Sequence, residues 1–269
     1  MKFPVAIQLY SLREETANNF KATLQAVADM GYDGVEFAGL GGHTVEEMQA
    51  MLKETGLRAI SAHVALEEML VDPQKTLSDY KALGCDYVAI PYLVEEKRPG
   101  GSDFANTLKA IETIGAKAKE MGLQLLYHNH DFEFQKMDGE YLLDMLYRVT
   151  DPEHLAVQPD VCWVSVGGEN PAEYIGKYAG RVPVVHLKNY VGGKTDHMYE
   201  LIGIESEKPA DEKPFEMRSL GEGIVDIPAV LAAAQEVGAK WVVVEQDVPT
   251  PGKTPMECAK ESIDYLKIV

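Results

Sequence analysis

The sequence predicts an α/β protein built as a single (β/α)8 TIM barrel spanning residues 1–269, and three observations carry that expectation. Short apolar runs alternate with longer amphipathic stretches to the C-terminus. Eight such units emerge, with no linker or low-complexity tract between them. The length, 269 residues, matches the roughly 250 that one closed barrel uses. Eight parallel strands close a barrel, whereas five or six leave an open doubly wound sheet.

Taken in order, the expected strands are VAIQLYS (5–11), GVEFAG (34–39), RAISAHV (58–64) and YVAIPYL (87–93). LQLLYHNHDF (123–132), LAVQPDV (155–161), VPVVHLKN (182–189) and WVVVEQD (241–247) follow. Most are near-continuous in Val, Ile, Leu and Ala, as strands covered on both faces are. Between them lie helices with readable ends. Thr44 followed by Glu47 forms a capping-box pattern. Gly31, Gly56, Gly84, Gly122 and Gly238 each close an amphipathic run ahead of a strand, where a C-cap glycine belongs. Asp226 with Pro228 marks the start of the seventh helix.

One connection breaks the rhythm. Residues 190–225 are rich in glycine, charge and proline. A connection of that length inside a compact domain is usually functional, and it follows a strand C-terminus, the face on which barrels build their sites. We expect a lid.

Composition bounds the rest. A hydrophobic fraction of 46% suffices for a sizeable core. No stretch approaches the roughly 20 apolar residues of a membrane helix, so no membrane partner is expected. The N-terminus lacks the apolar run and cleavage site of a signal peptide, which implies a cytoplasmic protein. Cys85, Cys162 and Cys258 are dispersed and odd in number, against a disulfide framework or a thiolate zinc site. The net charge of −18 repels phosphate backbones, so no nucleic-acid partner is expected.

Chemistry-bearing residues cluster where apolar strands end: Glu36, His63, His128, His130, Asp160, His186, Lys188 and Glu245. A buried charge costs several kcal/mol unless paired or metal-bound. In a barrel all strand ends converge on one mouth, so these eight imply one polar pocket. Asp160, His186 and Glu245 come from the sixth, seventh and eighth strands. Mixed carboxylate and imidazole donors suit Mn²⁺, Mg²⁺, Zn²⁺ or Fe²⁺. In LYHNHDFEF (126–134), alternation sends His128 and His130 to one face and Asn129 to the other, while Glu133 lies beyond the regular strand. No Walker phosphate loop, dinucleotide-binding glycine motif or nucleophile elbow is present, and the LGEG run at 220–223 lacks the context for phosphate binding.

IQLYSLR (7–13), GYDGVEFAG (31–39), YHNHDFEF (127–134), QPDVCWVSVGG (158–168), GRVPVVHLKN (180–189), LGEGIVDIP (220–228) and VVEQDVP (243–249) together resemble the xylose-isomerase-like barrel superfamily of sugar phosphate isomerases and epimerases. The match runs through the whole chain in order. The resemblance implies one catalytic divalent ion, commonly Mn²⁺, and a sugar or polyol substrate. It also implies ligands from four strands: a glutamate on the fifth, an aspartate on the sixth, a histidine on the seventh and a glutamate on the eighth. Asp160, His186 and Glu245 take the last three places. The fifth departs from the pattern, since His128 stands where relatives carry glutamate. Either His128 is the fourth ligand or Glu133 reaches back, with Glu133 preferred.

The chemistry so implied is metal-dependent isomerisation or epimerisation of a sugar or keto-sugar through an enediolate. Glu245 or His128 would act as base, with His130 beside them and Lys188 stabilising charge on oxygen. Glu36 and His63 would hold substrate hydroxyls. The alternative is a lyase or dehydratase acting on a keto-inositol or 3-keto-glycoside. An abasic-site endonuclease and a sugar-binding protein without catalysis rank lower. No dense Arg/Lys/Ser cluster marks a substrate phosphate, and a homo-oligomer is compatible with the sequence.

Overall fold

The structure is a computed structural model in which residues 3–195 and 215–269 are described. Its eight barrel strands are β1 (Val5–Gln8), β2 (Gly34–Phe37), β3 (Arg58–Ala62), β4 (Tyr87–Ile90), β5 (Gln124–His128), β6 (Ala156–Gln158), β7 (Val184–Leu187) and β8 (Trp241–Val244). All pair in parallel, β3-β2-β1-β8-β7 as one sheet and β4-β5-β6 as another. Two isolated parallel bridges join the sheets: His63 with Ala89 beside β3 and β4, and Asp160 with His186 beside β6 and β7. The barrel is closed, as expected.

Each strand occurs where the sequence places it, but ends two to four residues sooner. After Gln8 the chain tightens into a 3-10 turn, Leu9–Leu12. After His128 it leaves the ladder and turns at Phe132–Phe134. Apolar character alone cannot locate these ends, because the loop residues beyond them are buried too.

Alternation along the strands divides inside from outside. Ala6, Ile60, Ala89, Leu126, Ala156, Val184 and Val243 form a small apolar cluster filling the barrel. Their sequence neighbours, among them Ile7, Val88, Leu125 and Val185, belong to the larger core under the helices. Two residues beyond the inner cluster, the same register carries Gln8, His128, Gln158, His186 and Glu245, all buried. Strand period thus converts an apolar plug into a polar floor. At Gly34 the barrel wall leaves no room for a side chain, since a Cβ there would lie 2.6 Å from Arg58 O.

The helix ends follow the sequence signals. Thr44 and Glu47 form a reciprocal capping box. Gly31, Gly56 and Gly84 are left-handed C-caps, and Asp226 accepts from Ala229 N at 3.0 Å. The long connection after β7 begins and ends in an antiparallel ribbon, Asn189–Val191 against Glu216–Arg218. Asn189 Oδ1 ties its base to the next turn by accepting from Val225 N at 2.9 Å. Gly223 permits that approach, because a Cβ there would lie 2.1 Å from the same oxygen. Most of the expected lid, residues 196–214, lies outside the described residues. All three cysteines are free and buried, and no described helix is long and apolar enough to cross a membrane.

Candidate metal centre and cavity

A cavity of about 400 Å³ opens at the C-terminal ends of the strands, with Tyr10, His63, Tyr92, His130, Lys188 and Glu245 among its walls. At its base, one donor atom from each of His128, Asp160, His186 and Glu245 lies within 4.8 Å of the other three. All four side chains are buried. His128 Nε2 is 3.8 Å from Asp160 Oδ2 and 3.9 Å from Glu245 Oε2. His186 Nδ1 is 2.9 Å from Glu245 Oε2.

These donors fit a divalent ion. Ligand atoms about 2.0–2.2 Å from a common cation lie roughly 3–4 Å from one another, close to the spacings seen. Asp160 Oδ1 caps the following helix, accepting from Cys162 N at 2.9 Å and Trp163 N at 3.1 Å. Its buried Oδ2 is left to the Lys188 ammonium at 3.1 Å and to His128 Nε2 at 3.8 Å. A buried carboxylate oxygen facing an imidazole, with a second carboxylate and a second imidazole in the same donor group, is chemistry suited to a divalent cation.

Lys188 partly balances the negative charge. Its Nζ lies 3.1 Å from Asp160 Oδ2, 3.0 Å from Glu245 Oε2 and 3.0 Å from Asp247 Oδ2. Burial would pull the ammonium down, but these carboxylates hold it well above its ordinary value. Burial likewise opposes ionisation of Glu245, yet Lys188 and His186 keep that carboxyl low. Asp247, less completely compensated, is pushed up to about 6 by burial.

Glu36 and His63 stand beside this group. Glu36 is fully buried, and its oxygens receive Gln8 Nε2 at 2.8 Å, His186 Nε2 at 2.7 Å and Gln158 Nε2 at 2.7 Å. Its carboxylate is therefore occupied by protein groups, which corrects the expectation that it grips a substrate hydroxyl. His63 does reach the cavity, with Nε2 held 2.9 Å from Gln158 Oε1. Burial would raise Glu36, but His63 and His186 hold it well below the usual carboxylate range. Burial would lower His186, but Glu36 and Glu245 push it up to about 10.

His128 and His130 diverge in surroundings. Burial and the neighbouring imidazoles keep His128 neutral, far below its ordinary value. Burial and Lys188 do the same to His130. The His130 ring stacks on Phe132 at 5.1 Å and lies 5.4 Å from Trp163, so its orientation is fixed by packing. Glu133, the preferred fourth ligand from sequence, is not in the donor group. The 3-10 turn sends it the other way, where Oε1 accepts from Tyr127 Oη at 2.5 Å and Oε2 from His130 N at 2.8 Å. Burial pushes it up to about 8. The structure thus brings His128, Asp160, His186 and Glu245 together, and leaves Glu133 supporting the loop.

Four participants escaped the sequence reading: Asp247, Gln8, Gln158 and Asn129, whose Oδ1 accepts from Asp160 N at 3.1 Å. Asp247 could have been found by period, standing two residues beyond Glu245 on the same face. Gln8 and Gln158 are amides inside otherwise apolar runs, a weaker form of the signal that marked the charged residues.

A family model described as "Xylose isomerase-like TIM barrel" matches residues 24–269. Among curated proteins, an inosose dehydratase of Lacticaseibacillus casei is 26% identical over 162 residues, 58% of this chain and 51% of the relative, so the matched stretch spans about half that relative's length. An inosose dehydratase of Geobacillus kaustophilus (strain HTA426) is 23% identical over 270 residues, covering 90% of this chain and 85% of the relative. A sugar phosphate isomerase/epimerase from Parabacteroides distasonis superposes with a TM-score of 0.77 at 22% identity, covering 99% of this chain and 98% of the other, a likeness of fold.

Proposed function

The chain belongs to the xylose isomerase-like TIM barrel family, and on that footing we propose that it is a metal-dependent dehydratase of a keto-polyol or keto-sugar. The observation that carries this reading is the buried donor group His128, Asp160, His186 and Glu245 at the base of an open cavity. His128 is our fourth ligand, in place of Glu133. A divalent ion held there, Mn²⁺ by preference with Mg²⁺, Zn²⁺ or Fe²⁺ as substitutes, supplies the Lewis acidity that makes hydrogen beside a carbonyl removable.

The protein's own groups do the rest. Glu245 and His130 both face the cavity, and neutral His130, outside the donor group, takes the proton from carbon. The C–H electron pair becomes a C=C bond as the C–O bond on the next carbon breaks. The departing hydroxide takes a proton from the Lys188–Asp247 pair and leaves as water. The enol product then ketonises. Lys188 is held by three carboxylates, which suits a hydroxyl-bearing substrate without phosphate.

Dehydration is preferred over epimerisation for one reason on the chain itself. Two-base epimerisation in the resembled superfamily uses a pair of metal-bound glutamates, and here His128 replaces one of them. Inosose dehydratases among the curated relatives agree with this choice. Isomerisation or epimerisation remains the second reading, favoured by the presence of two cavity-facing acid/base groups. Incubation of Mn²⁺-loaded protein with a keto-inositol and a 3-keto-glycoside in D₂O separates them. Dehydration yields a product lighter by one water. Epimerisation yields deuterium at carbon without loss of water. Neither change, with metal bound, would overturn both readings.

A further inference from the structure

The orientation of His186 can be traced along a chain of hydrogen bonds that starts at a backbone amide. Tyr10 N donates to Gln8 Oε1 at 3.0 Å, and a backbone N–H can only donate, so the Gln8 amide cannot flip. Its Nε2 must then face Glu36 Oε1, which it does at 2.8 Å. Glu36 Oε2 receives Gln158 Nε2 at 2.7 Å, leaving Gln158 Oε1 to accept from His63 Nε2 at 2.9 Å. Every amide around Glu36 is set as a donor, and Glu36 is the shared acceptor. His186 Nε2, 2.7 Å from Glu36 Oε1, must carry its proton toward that oxygen.

We infer that Glu36 is a positioning residue, holding the Nε2 proton of His186 so that Nδ1 is the nitrogen offered to a cation beside Asp160, His128 and Glu245. The inference rests on the metal-site reading proposed above and adds to it the choice of ligand atom. A carboxylate behind a ligating imidazole fixes tautomer and ring orientation and raises ligand basicity. Gln8 and Gln158 extend that support by one more layer. His63 Nε2 also lies near Glu36, 3.1 Å from Oε1, so one carboxylate sets two imidazoles.

Two measurements with Zn²⁺ as the probe test this. Long-range proton–nitrogen NMR on the Zn²⁺-loaded wild-type protein, with His186 assigned by the signal lost in His186→Gln, should show Nε2 protonated and Nδ1 metal-shifted. Competition against a chelator should show Glu36→Gln binding Zn²⁺ about 10–100-fold more weakly than wild type. Zinc bound through Nε2, or a folded Glu36→Gln with unchanged affinity, overturns the inference while leaving the metal reading intact. If Glu36→Gln does not fold, the wild-type spectrum decides. Wild-type protein that takes up no Zn²⁺ at all defeats the metal reading, and this inference with it.

Discussion

Asp160 and His186 are backbone neighbours as well as members of one donor group: their bridge joins β6 to β7, and His186 N donates to Pro159 O at 2.9 Å. One of the two seams between the sheets thus runs through the donor group. An ion bound there, as proposed, would fasten side chains across a junction that has few ladder bonds of its own.

Thermal stability should therefore follow metal concentration. An ion that binds only the folded chain adds about 2.7 kcal/mol at a hundredfold excess over its Kd. We expect Tm to rise steadily with added Mn²⁺ and to fall in EDTA, as read by scanning fluorimetry. A Tm indifferent to both would remove the metal from this seam.

The fourth ligand is decided by metal content. Glu133 has both oxygens engaged by Tyr127 and His130, so Glu133→Gln should retain about one ion per chain under the single-site mechanism. His128→Gln should lose it on dialysis. The opposite pattern would return Glu133 to the ligand set.

Glu133 also predicts a pH dependence. Its ordinary value is 4.5 and burial pushes it up to about 8. Between those values the folded chain keeps a proton that the unfolded chain has released. The native state binds more protons, so stability falls as pH rises through that window, by at most about 1.4 kcal/mol per pH unit. Below 4.5 the two states are equally protonated and the slope vanishes. Denaturant melts from pH 5 to 8 should show a steeper decline for wild type than for Glu133→Gln. Parallel curves would contradict the assignment.

Lys188→Met should expose how much the site depends on cations. Removing the ammonium leaves Asp160, Glu245 and Asp247 buried without it, and breaking a buried pair costs roughly 3–5 kcal/mol. The loss of stability should be largest in EDTA and smaller with Mn²⁺ present, since a divalent ion compensates two of the same carboxylates. Equal losses in both buffers would mean that Lys188 and the metal do not share a role.

His130→Gln should keep metal and fold while lowering kcat by roughly 10²–10⁴, the usual contribution of an acid/base group. Full activity would shift that role to Glu245 alone.

The barrel was legible in the sequence because strands buried on both faces advertise themselves as apolar runs, and because glycine caps punctuate the helices between them. Asp160, His186 and Glu245 were legible for the complementary reason, as charges where such runs end. Glu133 was misplaced because a strand extended on paper to residue 132 stops at His128, and a 3-10 turn then reverses the direction of everything after it. Glu36 was seen as polar and strand-borne, but nothing in one sequence shows that Gln8, Gln158 and His186 converge on it from three other strands. Such partners meet only through barrel closure.

The ribbon formed by Asn189–Val191 and Glu216–Arg218 makes the segment between its arms a cassette. Because the arms are already paired, exchanging that segment for a shorter or longer one changes closure entropy by only about 0.6 kcal/mol per halving or doubling. Length there is nearly free to vary, whereas the turn holding Gly223 against Asn189 is not. Sequence change can accumulate between the arms without disturbing the donors on the barrel floor, which makes the ribbon a natural graft point.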